Sequence, residues 1–526
     1  MVRRTASYGA TVLISGLIVL CILIAVNYLS SLYFTRADLT EDKEFTISDP
    51  TKAVLKGLED LVTIQLYFSK ELPSYVAPLR TQVQDLLDEY KAYSGGKLQV
   101  EYIDPETDPE LKQKMQFMGI PPVQLNVIQR DKAELVTVYL GLAILYENKK
   151  EVIPVIRGTE NLEYQLTSGI SKVTISEVKS VGLLPLSEGM KVQESFSRLK
   201  EALQKLYDVK DIDLTNPRGL DNVSMLVVLG AKELTDWEKF QIDQAIMGGA
   251  NAIFMTDMIE RERGQLGASA SKSNVNDLLK SYGFRVNQDL VLDRSSAMAA
   301  FSSGFMQFQL PYPFWVKVGP EGLAKDSPAV SQLSTVVFPW TSSVDVIAQE
   351  DSGVKYDVLA RSSEASWLQT ETFDLSPQQK FTKTTTKSYD LAVEGTGAFK
   401  SAFSGQEAPK PQGEEAARYA QKDRQVKEQS PQTKIVVVGS SFLVNDEFLS
   451  RYRTNDLFVE NLVDIMTLGK GLVGIRTRGT AERPLEEVSE GSKTWIKFGN
   501  MLGIPVIVAA FGLLRYFVRK RRKRAL

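Results

Sequence analysis

The sequence predicts an α/β protein in which two terminal transmembrane helices flank two folded α/β domains. Apolar stretches long enough to cross a bilayer stand near both ends of the 526-residue chain, the first without a charge and the second with Arg515 as its only charge. Between them, short apolar runs typical of buried strands alternate with stretches whose apolar residues have helical spacing. The composition fits a protein with a substantial core, since 43% of the residues are hydrophobic and 24% are charged.

The first apolar stretch covers residues 11–33 and follows a predicted cytoplasmic tail, residues 1–10, that contains Arg3 and Arg4. Its 23 residues carry no charge. We interpret it as an uncleaved transmembrane helix and not as a secretory signal, because no small-residue cleavage site follows it. Asn27 is a candidate contact with a partner helix, and the alternative is a position at the wet membrane interface.

The second apolar stretch covers residues 498–518, and a basic tail, residues 519–526, ends the sequence. Gly499 and Gly503 form a GxxxG pair, which is a candidate helix–helix contact. Basic residues flank the outer end of each stretch, so the positive-inside rule predicts that both termini are cytoplasmic. The chain between them is then expected on the extracytoplasmic side of a bacterial inner membrane. The basic residues expected at the membrane surface, against lipid head groups, are Arg3, Arg4, Arg515, Arg519, Lys520, Arg521, Arg522, Lys523 and Arg524.

Residue counts exclude several kinds of chemistry. The chain has no histidine, which excludes Ser-His-Asp and Cys-His catalysis and histidine-ligated zinc. Its one cysteine, Cys21, permits neither an intrachain disulfide nor a CxxC redox pair. There is no GxxxxGK[ST] phosphate loop, and 62 basic residues nearly balance 65 acidic ones, so neither nucleotide hydrolysis nor nucleic-acid binding is expected. We therefore predict no catalytic residue, no cofactor and no metal site.

A first extracytoplasmic domain is predicted at residues 45–176. Strand-like runs, amphipathic helices and a proline-rich turn follow one another in the order β-α-β-α-β-β-α. This order is typical of a thioredoxin-like domain, although the absence of CxxC excludes redox chemistry. The turn contains Pro121 and Pro122, either of which is a candidate cis proline. The hairpin that follows, residues 136–156, is predicted to turn at residues 147–150.

A second extracytoplasmic domain is predicted at residues 178–475, with a polar, mobile insertion at about 405–433 and a juxtamembrane linker at 476–497. Fully apolar strands alternate with helices in this part, as in a doubly wound, flavodoxin-like domain with a parallel sheet. The strands that support this prediction are residues 180–186, 223–230, 251–257 and 434–441.

Polar residues at the ends of two of these strands are the candidate ligand or partner turn. Ser440, Ser441 and Asp446 come at the end of the last apolar strand, and Asp257 ends an earlier one. In an α/β sheet of this kind, ligands bind beyond the carboxyl ends of the strands. No histidine is present to activate either serine, so we prefer a structural or partner-binding turn to a nucleophile.

Six segments spread over the chain carry a resemblance to a known family. They are FTISDPTKAVLKGLEDLVTIQLYFSKELP (45–73), LLDEYKAYSGGKLQVEYIDP (86–105), ENLEYQLTSGISKVT (160–174), DQAIMGGANAIFMTD (243–257), NDLLKSYGFRVNQDLVLD (276–293) and NLVDIMTLGKGLVGIRTR (461–478). Together they resemble the GldG-like auxiliary proteins of ABC transport systems, which were first associated with gliding motility. The resemblance implies a non-enzymatic subunit that works with a separate ATPase and a permease. It also implies a central domain with the fold of class I glutamine amidotransferases, without their Cys-His machinery.

The leading hypothesis is a non-catalytic auxiliary or scaffold subunit of an ABC-2-type transport complex. Its extracytoplasmic part is expected to bind substrate, cell-wall material or another protein, while its terminal helices dock on the permease. The alternative is a membrane-anchored carbohydrate- or peptidoglycan-binding protein that is independent of any transporter. A hydrolase that uses carboxylates alone is a third hypothesis, although no paired acids mark a site for it.

Overall fold

The computed structural model describes most of residues 46–468 and a few positions near the two ends. Within 46–468 the residues not described are 108, 130–131, 160–161, 175–177, 188–190, 217, 262–265, 304–305, 332, 348–352, 380, 382–385, 411–425 and 453. Outside that range the described positions are 16, 18–19, 21–22, 491, 497–499, 501, 511–513 and 515–517. The chain divides into two compact units, Met1–Thr480 and Ala481–Leu526.

The predicted fold class is wrong in its two terminal transmembrane helices, residues 11–33 and 498–518. In the part of the chain that the structure describes, no helix is both long enough and apolar enough to cross a bilayer. Most positions of those two ranges lie outside the described residues. The predicted localisation, a two-pass inner-membrane protein with cytoplasmic termini, depended on these helices and is wrong for the same reason.

The described chain is a mixed α/β protein with seven separate sheets. Its helices are α1 Asp49–Lys56, α2 Ala77–Tyr93, α3 Pro109–Met118, α4 Leu162–Thr174, α5 Val192–Ser195, α6 Ser197–Leu203, α7 Asp236–Met247, α8 Asn276–Ser281, α9 Asp446–Leu449 and α10 Thr454–Leu468. Single turns of 3-10 helix lie at Pro105–Thr107 and Phe442–Val444.

Most of the strands have eight residues or fewer, and three have 10 to 13 residues. In the first third of the chain they are β1 Val62–Phe68, β2 Leu98–Ile103, β3 Val123–Gln129, β4 Lys132–Val138, β5 Leu140–Tyr146 and β6 Lys149–Ile153. Next come β7 Ser180–Pro185, β8 Asp208–Asp211, β9 Met225–Leu229, β10 Asn251–Met255, β11 Ile259–Arg261, β12 Gly267–Ala270, β13 Phe284–Val286 and β14 Leu290–Leu292. The remainder are β15 Ser296–Ser303, β16 Met306–Val318, β17 Val336–Pro339, β18 Val344–Val346, β19 Lys355–Arg361, β20 Trp367–Gln369, β21 Phe373–Asp374, β22 Asp390–Lys400 and β23 Gln429–Val438.

A four-stranded sheet, in the order β2-β1-β5-β6, organises the first part of the chain. Strands β1 and β2 are parallel, whereas β5 is antiparallel to both β1 and β6. The β5–β6 hairpin turns at Glu147, whose φ of 49° lies in the left-handed region. Strands β3 and β4 pair only with each other and form a separate two-stranded sheet. None of the described peptide bonds is cis, so Pro121 and Pro122 follow trans bonds.

A seven-stranded sheet, in the order β19-β22-β23-β10-β9-β7-β8, organises the rest. Its five strands from β23 to β8 are parallel, and β22 and β19 extend it in antiparallel fashion. Alternate side chains of each parallel strand enter different hydrophobic cores. Val227 belongs to the core that α6 and α10 cover, and Val228 to the core that α7 and α8 cover. The middle of the sheet is therefore buried on both faces, which explains why β7, β9 and β10 are almost wholly apolar.

Helix α7 illustrates how local sequence positions a covering layer. Thr235 accepts a hydrogen bond from the Glu238 backbone at 3.3 Å, and the Glu238 carboxylate accepts one from the Thr235 backbone at 2.8 Å. This capping box satisfies two of the free N–H groups at the start of the helix. The helix ends before Gly248 and Gly249, and the latter has a φ of 102°.

An aromatic core lies among the small sheets of residues 259–375 and reaches the carboxyl edge of the large sheet. Its members include buried and partly buried rings from strands that are far apart in the chain, together with rings from and after α9. They are Phe301, Tyr312, Phe314, Trp315, Trp340, Trp367, Phe373, Phe381, Phe448 and Tyr452. The candidate site opens from this core.

Candidate functional site: an aromatic cleft around Arg261

The candidate site begins where two neighbouring strands end. Strands β10 and β23 run parallel, with Met255 opposite Val438, so Asp257 and Ser441 leave the same edge of the sheet. The Asp257 carboxylate accepts hydrogen bonds from the Ser441 backbone N–H at 2.8 Å and from its Oγ–H at 2.5 Å. The two residues thus tie the ends of β10 and β23 together.

The loop after β17 is fastened to the turn after β23. Ser440 donates through Oγ to the Pro339 carbonyl at 2.8 Å, and the Ser342 N–H donates to the Gly439 carbonyl at 2.9 Å. The approach is so close that a Cβ at Gly439 would lie 1.9 Å from the Ser342 carbonyl oxygen. Only glycine fits there.

Trp340 lies between Pro339 and Ser342 in this loop, and its backbone is strained. Its φ is 47°, a left-handed conformation that is unusual for a bulky residue. Its N–H donates to the Phe314 carbonyl at 2.7 Å, which holds the turn in place. Strain of this kind is retained where the surrounding structure enforces it, and it is concentrated at binding and active sites.

The guanidinium of Arg261, the last residue of β11, packs against the faces of two aromatic rings. Its central carbon lies 3.9 Å from the centroid of the Trp340 ring and 3.6 Å from that of Phe442. Those two rings are themselves edge-to-face, with centroids 5.3 Å apart. The guanidinium therefore occupies the corner between two nearly perpendicular rings, where cation–π attraction to both holds it.

The edges of the Arg261 guanidinium have no hydrogen-bond or ion-pair partner among the described residues. Burial lowers the pKa of Arg261 below its usual value, and the nearby charges of Asp257 and Glu447 oppose that shift. Burial also raises the pKa of Asp257, although the hydrogen bonds from Ser441 and the charge of Arg261 pull it back. A desolvated cation with free donors is costly to the fold, and an anionic or acceptor-bearing ligand would offset that cost.

Arg261 lines a cleft of about 190 Å³. Six aromatic side chains, two arginines, one glutamate and small or aliphatic residues surround the space. The lining residues are Arg261, Leu266, Ala299, Ala300, Phe301, Tyr312, Trp315, Trp340, Leu375, Phe442, Glu447, Phe448 and Arg451.

A second unpaired donor belongs to the same wall. Trp315 is 7% exposed, and its buried indole N–H has no partner in the described part of the chain. The neighbouring indole N–H, that of Trp340, lies 3.5 Å from the Tyr312 hydroxyl. That hydroxyl donates to the Leu375 carbonyl at 2.7 Å, and burial raises its pKa to about 12. The Tyr312 hydroxyl is therefore satisfied and neutral, whereas the donors of Arg261 and Trp315 are free.

The structure brings three of the four predicted turn residues together and separates the fourth. Ser440, Ser441 and Asp257 meet at the sheet edge as described. Asp446 instead accepts hydrogen bonds from the first residues of α6, namely Ser197 N at 2.9 Å, Ser197 Oγ at 2.5 Å and Arg198 N at 2.9 Å. Asp446 therefore caps a distant helix. Whether the other three residues serve a ligand stays a prediction.

The predicted membrane-surface and helix-interface residues lie mostly outside the described residues. Two of them are described: Gly499 and Arg515 are helical and exposed. The others are Arg3, Arg4, Asn27, Gly503, Arg519, Lys520, Arg521, Arg522, Lys523 and Arg524.

Sequence reasoning missed Arg261, Trp315 and Trp340. Arg261 follows Asp257 by only four residues, so the rule that selected Asp257 points to its neighbourhood. Nothing in the linear sequence places it between Trp340 and Phe442, because those rings come from 79 and 181 positions further along.

The fold and the cleft define a class of protein: an α/β protein with a candidate binding site at the carboxyl edge of a largely parallel sheet. Within that class the chain belongs to the auxiliary family of ABC-type transport systems. Residues 152–466 match the family described as "ABC-type uncharacterized transport system", and this match covers more than half of the chain. Residues 41–145 match a domain of unknown function.

A relative of nearly the same length comes from Borreliella burgdorferi (strain ATCC 35210). It is described as an uncharacterized protein and is 27% identical over an alignment of 512 residues, which covers 94% of this chain and 95% of the relative. The likeness therefore extends over most of the chain and is not confined to one domain.

Two solved structures show a limited likeness. The N-terminal domain of mmIFT52 is 14% identical, with a TM-score of 0.34, over 55% of this chain and 97% of its own. A ThuA-like protein from Bacteroides uniformis is 10% identical, with a TM-score of 0.30, over 57% of this chain and 97% of its own. Neither value supports an argument about function.

Proposed function

We propose that this chain is a non-catalytic auxiliary subunit that associates with a separate permease and a separate ATPase. In this role it holds the transported substrate or a partner of the system in the cleft around Arg261. The GldG-like motifs support placement in that branch of the auxiliary family.

The observation that carries the proposal is the placement of Arg261 against Trp340 and Phe442. A partly buried guanidinium that packs against two ring faces and has no described hydrogen-bond partner is arranged to bind and not to react. Trp340 adds backbone strain at the same place, and Trp315 adds a free donor. Together these features suggest a preorganised recognition site, in which donors and ring faces are in position before the ligand arrives.

The polar residues next to the cleft support a binding role over catalysis. Ser441 donates a hydrogen bond to the Asp257 carboxylate, whereas a serine nucleophile ordinarily depends on a histidine as its base. The sequence contains no histidine. Within the described ranges no group of three or more acidic or cysteine side chains is placed to hold a metal ion. Energy for transport is therefore assigned to the partner ATPase.

Co-purification from mild detergent tests the association. A tagged full-length chain is expected to recover a permease and an ATPase in fixed ratio. The Arg261→Gln variant is expected to recover both but to lose at least one other bound component, protein or small molecule, that the wild type retains.

Arg294→Gln is the matched control, because Arg294 is an exposed arginine outside the cleft and the charge change is the same. It is expected to behave as wild type, as judged by mass spectrometry of the recovered material. Recovery of neither permease nor ATPase would contradict the association and favour the independent binding protein. Identical material with Arg261→Gln would contradict a role for the cleft.

A further inference from the structure

We infer that the Arg261 cleft takes an apolar carboxylate: one compact hydrophobic group, aryl or branched alkyl, that bears a carboxylate. The inference deepens the proposed function, on which it rests, by naming the ligand class of the same cleft.

The carboxylate is argued from the unpaired donors. Arg261 offers in-plane N–H groups with no partner among the described residues, and a guanidinium edge matches the two oxygens of a carboxylate. Trp315 offers an indole N–H that is buried and unpaired. Both side chains line one cleft. The Arg261 donors require an acceptor, and a carboxylate provides one with capacity left for the Trp315 N–H, should the ligand reach that buried donor.

The apolar body is argued from the rest of the wall. Six of the lining side chains are aromatic, and several meet edge to face, such as Trp315 with Phe448 at a centroid distance of 5.2 Å. The volume of about 190 Å³ is close to the roughly 150 Å³ of an apolar cavity that holds benzene. One ring or one branched side chain fits this space, whereas a sugar would leave most of its hydroxyls without partners.

The charges that face Arg261 determine how strongly an anion is preferred. Asp257 and Glu447 oppose an anion, and Arg451, which also lines the cleft, favours one. Asp257 already accepts two hydrogen bonds from Ser441, and neither acid forms an ion pair with Arg261. The in-plane edge of Arg261 therefore remains open to a ligand carboxylate.

An apolar carboxylate has two natural sources: the C-terminal residue of a polypeptide, or a free small acid. The chemistry that the cleft recognises is the same in both. Peptide length separates them. When a C-terminal residue is bound, the rest of the polypeptide must leave the cleft through its open side, whereas a free acid has no such extension.

Calorimetric titration of the purified full-length protein tests the inference with 3-phenylpropionate as the probe. Saturable binding is expected, and 3-phenylpropanol, which has the same body without the charge, is expected to bind at least about tenfold more weakly. Arg261→Gln is expected to weaken phenylpropionate binding by a similar factor. Trp315→Phe keeps the ring and removes only the donor, so it provides a second, conservative variant if Arg261→Gln fails to fold. It is expected to weaken the acid more than the alcohol, and Arg294→Gln is expected to leave both unchanged.

Gly-Gly-Phe with a free C-terminus, compared with its amide, identifies the source. Tighter binding of the free tripeptide than of its amide supports a polypeptide terminus. Binding of phenylpropionate without binding of the free tripeptide supports a small acid. Equal binding of acid and alcohol, no saturable binding of the acid, or unchanged acid binding in both cleft variants would overturn the inference.

The proposed function and the proposed ligand class can be contradicted independently of each other. If phenylpropionate does not bind, but Arg261→Gln still loses a component during co-purification, the ligand class is wrong and the proposed function stands. If phenylpropionate binds and no permease or ATPase is recovered, the ligand class stands and the proposed function fails.

Discussion

Asp257 shows how an acidic side chain at a strand end can serve structure and site at once. Its hydrogen bonds to Ser441 join two strands, and its charge acts on Arg261 without forming an ion pair. The strand-end rule selected Asp257, Ser440 and Ser441 from the sequence. It did not select Arg261 or the rings around it, because their importance comes from contacts between segments far apart in the chain.

The raised pKa of Asp257 predicts a pH dependence of stability. Because the folded protein holds this proton more tightly than the unfolded chain, the contribution to stability is full below the ordinary aspartate pKa of about 3.9. It is lost as the pH rises through the higher folded value. The free energy of unfolding of wild type minus that of Asp257→Asn is therefore expected to fall with rising pH above that ordinary value. Urea titrations of both proteins at several pH values measure this difference in the free energy of unfolding.

Asp345 provides a control with the opposite sign. Hydrogen bonds from Arg285 and Asn287 outweigh partial burial and lower the pKa of Asp345. Its contribution is present above the ordinary aspartate pKa and is lost as the pH falls through the lowered value. The same difference for Asp345→Asn is expected to rise with pH. If both curves fall with rising pH, the assignment for Asp345 is contradicted, and if both rise, the assignment for Asp257 is contradicted.

At the scale of elements, the sheet strands were the most predictable features. Strands β7, β9 and β10 lie within apolar runs that the sequence marks clearly, because a strand buried on both faces needs no polar residue. Strand β23 overlaps the predicted run 434–441 only in its second half, since it begins at Gln429, within the predicted insertion. The β3–β4 hairpin was not predicted. The run from residue 136 was expected to be one strand of a hairpin, but Tyr139 divides it by exchanging hydrogen bonds with Ser69, at 3.0 Å and 3.1 Å. Periodicity cannot locate such a break, because the residues on both sides are equally apolar.

Asp446 predicts a stability effect at the level of one element. It accepts three hydrogen bonds from the start of α6, although it lies almost 250 positions away in sequence. Asp446→Ala is expected to lower the free energy of unfolding by about 1–2 kcal/mol, which is the usual cost of losing a helix cap. Chemical denaturation measures the change.

Two further variants calibrate the Asp446 result. Thr235→Ala removes the capping box of α7 and is expected to cost about 1 kcal/mol. Asp208→Ala removes only an exposed ion pair with Lys210 at 3.7 Å and is expected to have almost no effect. An Asp446→Ala variant as stable as Asp208→Ala would show that the cap is not stabilising.

At the scale of the whole molecule, one buried amide joins three distant segments. Asn455, which is fully buried, accepts from the Val337 N–H at 3.0 Å and donates to the Val337 carbonyl at 2.8 Å and to the Leu443 carbonyl at 3.1 Å. It thereby attaches α10 to β17 and to the turn that carries Phe442, one of the rings against Arg261.

Asn455→Ala is expected to lower the free energy of unfolding by about 3 kcal/mol or more, since it leaves buried backbone groups unpaired. Asn216→Ala is the control, because Asn216 is an exposed turn residue whose side chain accepts only a local hydrogen bond from Arg218. Urea unfolding is expected to show a much smaller loss for the control. Equal losses would mean that Asn455 does not join the segments.

The sequence by itself determined the composition of the core strands and the absence of histidine, of a phosphate-loop motif and of a CxxC pair. These properties are local, because they depend on residue type and on spacing within a few turns or a single strand. The prediction of two terminal transmembrane helices was wrong. An apolar stretch alone does not establish such a helix, and no helix among the described residues is both long enough and apolar enough to cross a bilayer.

Only the tertiary structure decided the site. The packing of Arg261 against two rings, the unpaired donor of Trp315 and the strained turn at Trp340 each depend on chain segments that meet after folding. An arginine in an isolated strand is an ordinary surface cation. Against two rings in a partly buried wall it loses water without gaining a described hydrogen-bond partner, and that loss of solvation makes it a candidate for recognition.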